Sequence, residues 1–126
     1  MIGFALMSSE TPSPSERDIR LYVEDMLDFA GAVLEYTRGF DQESLAADRM
    51  RLDATLHKLA LIGEAATRVP PELRALAPDV PWRKIVGTRN RVIHAYLGIE
   101  MSAVWSVVSA DIPALRCALA ELLKRI

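Results

Sequence analysis

Apolar residues recur three and four positions apart along most of this chain, and that period dictates helices. Ile19, Val23, Met26, Ala30, Val33 and Leu34 form one stripe. Leu45, Leu52, Leu56, Leu59 and Ile62 form a second, and Val104, Val108, Ile112, Leu115, Leu119, Leu122 and Ile126 a third. Residues so spaced lie along one face of a helix of 3.6 residues per turn. The alternating β-branched runs of strands are lacking. With 126 residues, 51% of them hydrophobic, the chain can build one domain with a sizeable core.

Punctuation residues divide the stripes. Ser15 is a helix N-cap with Asp18 in capping-box position, and Gly39 is placed to end that helix at C′. Asp41 caps a second helix that should run to about Arg68, where Gly63, Ala65 and Ala66 are small enough for another helix to approach closely. Pro70-Pro71 ends it, and Pro71 to Leu76 fits one short helical turn. Pro81 should open a third helix that runs to about Leu97 and stops at Gly98. The last helix should be kinked by Pro113. Four long helices and a short one, joined by short links, predict an all-α antiparallel bundle over residues 15–126. Residues 1–14 read as a flexible N-terminal extension, rich in Ser and Pro from Ser8. Met1 to Met7 is apolar but too short, and lacks the basic leading region of a signal peptide, so translation could also begin at Met7.

Composition excludes several classes. The lone Cys117 cannot make an intrachain disulfide, which fits a reducing cytoplasm, and its place in the last stripe predicts a small core residue. One cysteine and two histidines, His57 and His94, offer no metal-ligand cluster, so neither metal nor cofactor is expected. No run of about 18 apolar residues predicts a membrane span. His57 reads as a surface residue, and Glu24, Asp25, Asp28 and Glu35 as a solvated face of the first helix.

The functional signal lies between Val80 and Ile99, which holds four Lys/Arg (Arg83, Lys84, Arg89 and Arg91) and no acid, in a chain of formal charge −2. Positive charge gathered around a histidine predicts an anion, with phosphate the commonest candidate. Arg89 and Tyr96 lie seven apart and so share a helix face, with Ile85, Val86, Val92 and Ile93 on or beside it. Asn90 and His94, four apart, flank that sector. An arginine directed into an apolar sector needs an anionic partner, either a substrate phosphate or an internal carboxylate such as Glu64. Trp82 and Trp105 read as core or interface anchors rather than stacking platforms for bases.

The ordered series Ile62-Gly-Glu-Ala-Ala66, Pro70-Pro-Glu-Leu73, Val80-Pro-Trp82, Gly87-Thr-Arg-Asn90 and His94-Ala-Tyr96 resembles the HepT-like family of the HEPN superfamily. Arg17-Asp18, Tyr36-Thr-Arg-Gly39, Val104-Trp105 and Ile112-Pro-Ala-Leu115 fit the same family, so the likeness runs from about Ser15 to the C-terminus. It implies a homodimeric helical bundle and metal-independent RNA cleavage, used as the toxin of a toxin–antitoxin pair. The implied partner is a minimal nucleotidyltransferase antitoxin that silences the toxin by AMPylation of the tyrosine in H-x-Y. Carried over by position, Arg89 and His94 are the catalytic pair, Asn90 the supporting polar neighbour and Tyr96 the modified residue. Thr88 and Ala95 depart from the family pattern, which often has methionine and then aspartate or glycine there.

Metal-free RNA cleavage needs a proton acceptor for the 2′-OH, a donor for the leaving oxygen and positive charge on the phosphorane. Histidine fills the first two roles near neutral pH, and arginine the third through its fork of donors. One chain offers one convincing histidine, so either a two-fold dimer joining both motif helices completes a composite site, or a single His94 alternates between the two roles with water. Arg83, Lys84 and Arg91 are candidate RNA-backbone contacts. A rival reading makes the chain a non-catalytic subunit that binds nucleotide or RNA beside a nucleotidyltransferase. In that case Arg89 and His94 hold phosphate and cut nothing. A third makes it an interaction-only helical dimer.

Overall fold

The computed structural model describes residues 15–97 and 100–126. The proposed N-terminal extension and the helix stop at Gly98 lie outside the described residues. The protein is 80% helical and all-α, with no strand among the described residues. In chain order the helices are α1 (Glu16–Thr37), α2 (Gln42–Ala47), α3 (Arg49–Ala66), α4 (Pro71–Arg74), α5 (Trp82–Val86) and α6 (Thr88–Tyr96). Then come α7 (Met101–Ser106), a π-helical segment (Val107–Asp111) and α8 (Ile112–Arg125).

The α1 helix begins and ends where its sequence directs. The Ser15 hydroxyl accepts from the Asp18 amide at 3.1 Å, and the Asp18 carboxylate accepts from the Ser15 amide at 3.4 Å. At the other end Gly39 takes φ +79, a left-handed conformation that costs glycine little. Val23, Met26, Ala30 and Val33 are fully buried between them. This face packs on α3 and α8.

Two arginines set the directions of packing. Arg20, near the start of α1, donates to the carbonyls of Leu123 and Ile126 at the end of α8. Arg51, near the start of α3, donates to the Tyr36 carbonyl at 2.8 Å, near the end of α1. Both α3 and α8 therefore run antiparallel to α1. Each arginine also supplies a donor to helix-end carbonyls that have no partner within their own helix. Arg51 further lies 4.5 Å over the Phe40 ring.

The structure corrects several expectations. The second helix is broken at Asp48, which closes α2 and caps α3, its carboxylate accepting from the Arg51 amide at 3.1 Å. Aspartate competes with helical hydrogen bonding in this way, and the hydrophobic stripe passes through the break unchanged. Instead of a simple kink at Pro113, the helix widens just before it. The Ile112 amide bonds to the Val107 carbonyl, five residues back. That wider turn makes room for the proline ring, which in a regular helix would meet the carbonyl four residues before it. Cys117 is exposed rather than core, because the inward line of α8 is Ile112, Leu115, Leu119 and Leu122. Ile126 is 38% exposed, beyond the last packed turn.

The helix from Met101 to Arg125 is long and apolar enough to cross a membrane by length and composition alone. Its apolar side is occupied in the domain: Val104, Val107, Val108, Ile112, Leu115, Leu119 and Leu122 are all buried.

Burial separates two apolar side chains of α3. Leu56 is fully buried, whereas Met50 is 85% exposed. Leu56→Ala should lower unfolding stability by about 2–5 kcal/mol. Met50→Ala should stay within about 0.5 kcal/mol of the parent. Urea denaturation followed by circular dichroism measures both.

Candidate active site

Arg74 and Trp82 fix where the basic segment starts. Arg74 donates to the carbonyls of Val69 and Ala66 at 2.9 Å each, closing the end of α3. Its guanidinium also lies 5.6 Å from the Trp82 ring centroid. The Trp82 indole N–H donates to the Ala77 carbonyl at 3.1 Å, and the side chain is buried, as an anchor should be. Pro81 is the N-cap of α5, so helix begins one residue later than expected.

The single motif helix expected from Pro81 to Leu97 is two helices. They meet at Gly87, which takes φ −74 and ψ −6. Its amide bonds to the Arg83 carbonyl, and the Asn90 amide bonds back to the Gly87 carbonyl over three residues. Glycine favours such a junction because it is a poor helix former. Thr88 stabilises the joint: its hydroxyl, in a buried residue, donates to the Lys84 carbonyl at 3.2 Å.

From there α6 turns Thr88 and Val92 inward against the core and leaves Asn90, Ile93 and His94 exposed. Ile93 is therefore not on the buried face expected of it; it is 51% exposed, and Leu97 is 69% exposed. The backbones of Arg89 and Tyr96 belong to α6. Their side chains are outside the description, and so is the pairing of Arg89 with Glu64.

Two clefts lie along α5 and α6. The larger, about 780 Å³, is lined by Pro81, Trp82, Arg83, Lys84, Gly87, Asn90 and Arg91. The smaller, about 260 Å³, is lined by Asn90, Arg91, His94 and Glu100. Asn90 and Arg91 belong to both. The structure thus brings together Arg83, Lys84, Asn90, Arg91 and His94. Lys84 is partly engaged, its ammonium 2.6 Å from the Asp111 carboxylate on the π-helical segment. His94 is half-exposed, and its Nδ1 lies 3.8 Å from Oε1 of Glu100.

Glu100 is the site residue that pattern reading passed over. It stands six positions beyond His94, outside the R-x4-H-x-Y spacing, and is the first acidic residue after the basic segment. Among the described residues no group of three His, Cys, Asp or Glu side chains could hold a metal ion. Another cavity, of about 540 Å³, lies at the far end of the α1–α8 pair and includes Arg17, Arg20 and Arg125. There Arg20 and Arg125 already donate to backbone carbonyls.

Residues 26–122 match the family described as ribonuclease HepT-like. The chain belongs to the HepT-like ribonuclease family. It is 34% identical to a Methanocaldococcus jannaschii protein whose name assigns it provisionally as an RNase, over 81% of this chain and 94% of that one. It is 33% identical to a Thermococcus cleftensis protein named probable ribonuclease HepT, over 80% of this chain and 92% of that one. A third relative, from Caldanaerobacter subterraneus subsp. tengcongensis and also provisionally named as an RNase, is 31% identical over 84% and 95%. No solved structure gives a significant match. Within this HepT-like chain, Asn90 and His94 line the cleft at α6.

Proposed function

We propose that this HepT-like chain is a metal-independent endoribonuclease whose cutting site is the cleft at His94, and that it acts as the toxin of a toxin–antitoxin pair. The observation that carries this reading is that the two clefts share Asn90 and Arg91. A groove bearing Arg83, Lys84 and Arg91 therefore adjoins the cleft of the half-exposed His94. RNA phosphates would lie along the basic groove and one would reach the histidine. The RNA's own 2′-oxygen attacks that phosphorus as His94 takes the hydroxyl proton. The bond to the 5′-oxygen breaks as that oxygen receives a proton, leaving a 2′,3′-cyclic phosphate and a 5′-hydroxyl. Arg89 is the group assigned to the charge of the phosphorane, with Asn90 beside it.

A homodimer through α6 would supply the second acid–base group. Ile93 on that helix and Leu97 just beyond its end, four apart and exposed, support an interface there. The antitoxin would be a minimal nucleotidyltransferase that transfers AMP from ATP to the Tyr96 hydroxyl, releasing pyrophosphate. The added phosphate would compete for Arg89 and the added base would fill the cleft.

Purified protein incubated with end-labelled RNA in EDTA tests the cleavage. Wild type should give cyclic-phosphate ends, and His94→Ala or Arg89→Ala should each lose about 10²-fold or more. If His94→Ala cuts as fast as wild type, the activity lies elsewhere. If wild type binds RNA and leaves it intact, the chain is a binding subunit.

Mass spectrometry after incubation with the cognate nucleotidyltransferase, ATP and magnesium tests the switch. A gain of whole AMP units that vanishes in Tyr96→Phe is the expected result. A gain that survives the substitution, or none at all, overturns it.

A further inference from the structure

The His94–Glu100 contact joins two elements across the site. His94 belongs to α6, and Glu100 is the N-cap residue of α7. Both side chains line the small cleft, together with Asn90 and Arg91. The imidazole presents Nδ1 to the carboxylate at 3.8 Å, so its other nitrogen, Nε2, is the one left for a substrate. Glu100 also offers no side-chain cap to α7, so the hydrogen bonds of that helix end do not account for its position.

We propose that Glu100 is the positioning residue of His94, accepting a hydrogen bond from Nδ1–H so that Nε2 carries the free lone pair that takes the 2′-hydroxyl proton. This rests on the reading of His94 as the base of RNA cleavage. A neutral imidazole carries one N–H, and whichever nitrogen is hydrogen-bonded to an acceptor keeps it. A base must have its other nitrogen bare and aimed at the substrate. A shift of less than 1 Å in either side chain turns the 3.8 Å contact into a hydrogen bond, the kind of tightening that substrate binding produces in open sites. At 52% and 40% exposure, water weakens any attraction between the carboxylate and a protonated His94, so the role lies in tautomer and ring orientation. Proton bookkeeping is unchanged: Glu100 stays a carboxylate, and the proton that His94 accepts on Nε2 leaves from the same nitrogen.

The test compares the full chain with Glu100→Gln and Glu100→Ala variants by two readouts. The first is the tautomer of neutral His94, read from the ¹⁵N shifts of its ring without RNA. Wild type should hold the proton on Nδ1, Glu100→Ala should move it to Nε2, and Glu100→Gln, whose amide oxygen can still accept, should shift it less. The second is steady-state cleavage of labelled RNA in EDTA, where kcat should fall about tenfold or more and KM should stay within about twofold. Thermal melting confirms that the variants are folded. An unchanged tautomer in Glu100→Ala overturns the proposal. If kcat falls while the tautomer holds, Glu100 acts on RNA directly or on the fold, and positioning is again refuted. The tautomer shift is measured in the absence of cleavage, so loss of the ribonuclease reading and loss of this pairing give different results.

Discussion

Burial of one face of α1 organises this protein. Val23, Met26, Ala30 and Val33 have no exposed surface, and they are covered by α3 on one side and α8 on the other. The apolar area removed from water there is the main source of stability. Because α1 is covered by both α3 and α8, their positions are fixed relative to each other. Arg20 and Arg51 then set direction, each bridging the start of one helix to the end of another. Once α3 is placed, α5 and α6 pack against it, and the basic segment is held at the surface.

The site depends on a short interruption in that packing. A continuous helix from Pro81 to Leu97 would carry one register throughout. The joint at Gly87, tied by the Thr88 hydroxyl, lets α5 bury Trp82 and Ile85 while α6 independently buries Thr88 and Val92. Asn90, Arg91 and His94 are left around a cleft that shares Asn90 and Arg91 with the groove beside Arg83. Trp82 and Arg74 secure the start of α5 through the end of α3. The position of the cleft therefore rests on the packing of Trp82 and Arg74 against the end of α3.

Much of this was legible in the sequence. Helix identity, the caps at Ser15 and Asp41, the glycine stop at Gly39 and the inner faces of α1 and α3 follow from period and local hydrogen bonding, which short stretches of chain decide. The breaks at Asp48 and Gly87 were missed because a hydrophobic stripe can continue in register across a break, so periodicity alone does not report it. Cys117 and Ile93 were assigned to buried faces because a wheel drawn over a few residues does not fix which edge of the stripe a neighbour covers. At the site, the grouping of Asn90 and His94 was readable from helical spacing. Glu100 was not, because its approach to His94 depends on how α7 follows α6, which no motif spacing encodes.

The claim that RNA meets this protein at the α5–α6 cleft is most directly tested by mapping where a non-cleavable RNA binds. An oligonucleotide with 2′-deoxy substitutions, titrated into isotope-labelled protein in EDTA, reports the contact surface through amide and histidine ring shifts. The account predicts the largest changes at Arg83, Asn90, Arg91, His94 and Glu100, weakening as salt is raised. Largest changes at Arg17, Arg20 and Arg125 in the distant cavity, with His94 unmoved, would contradict it.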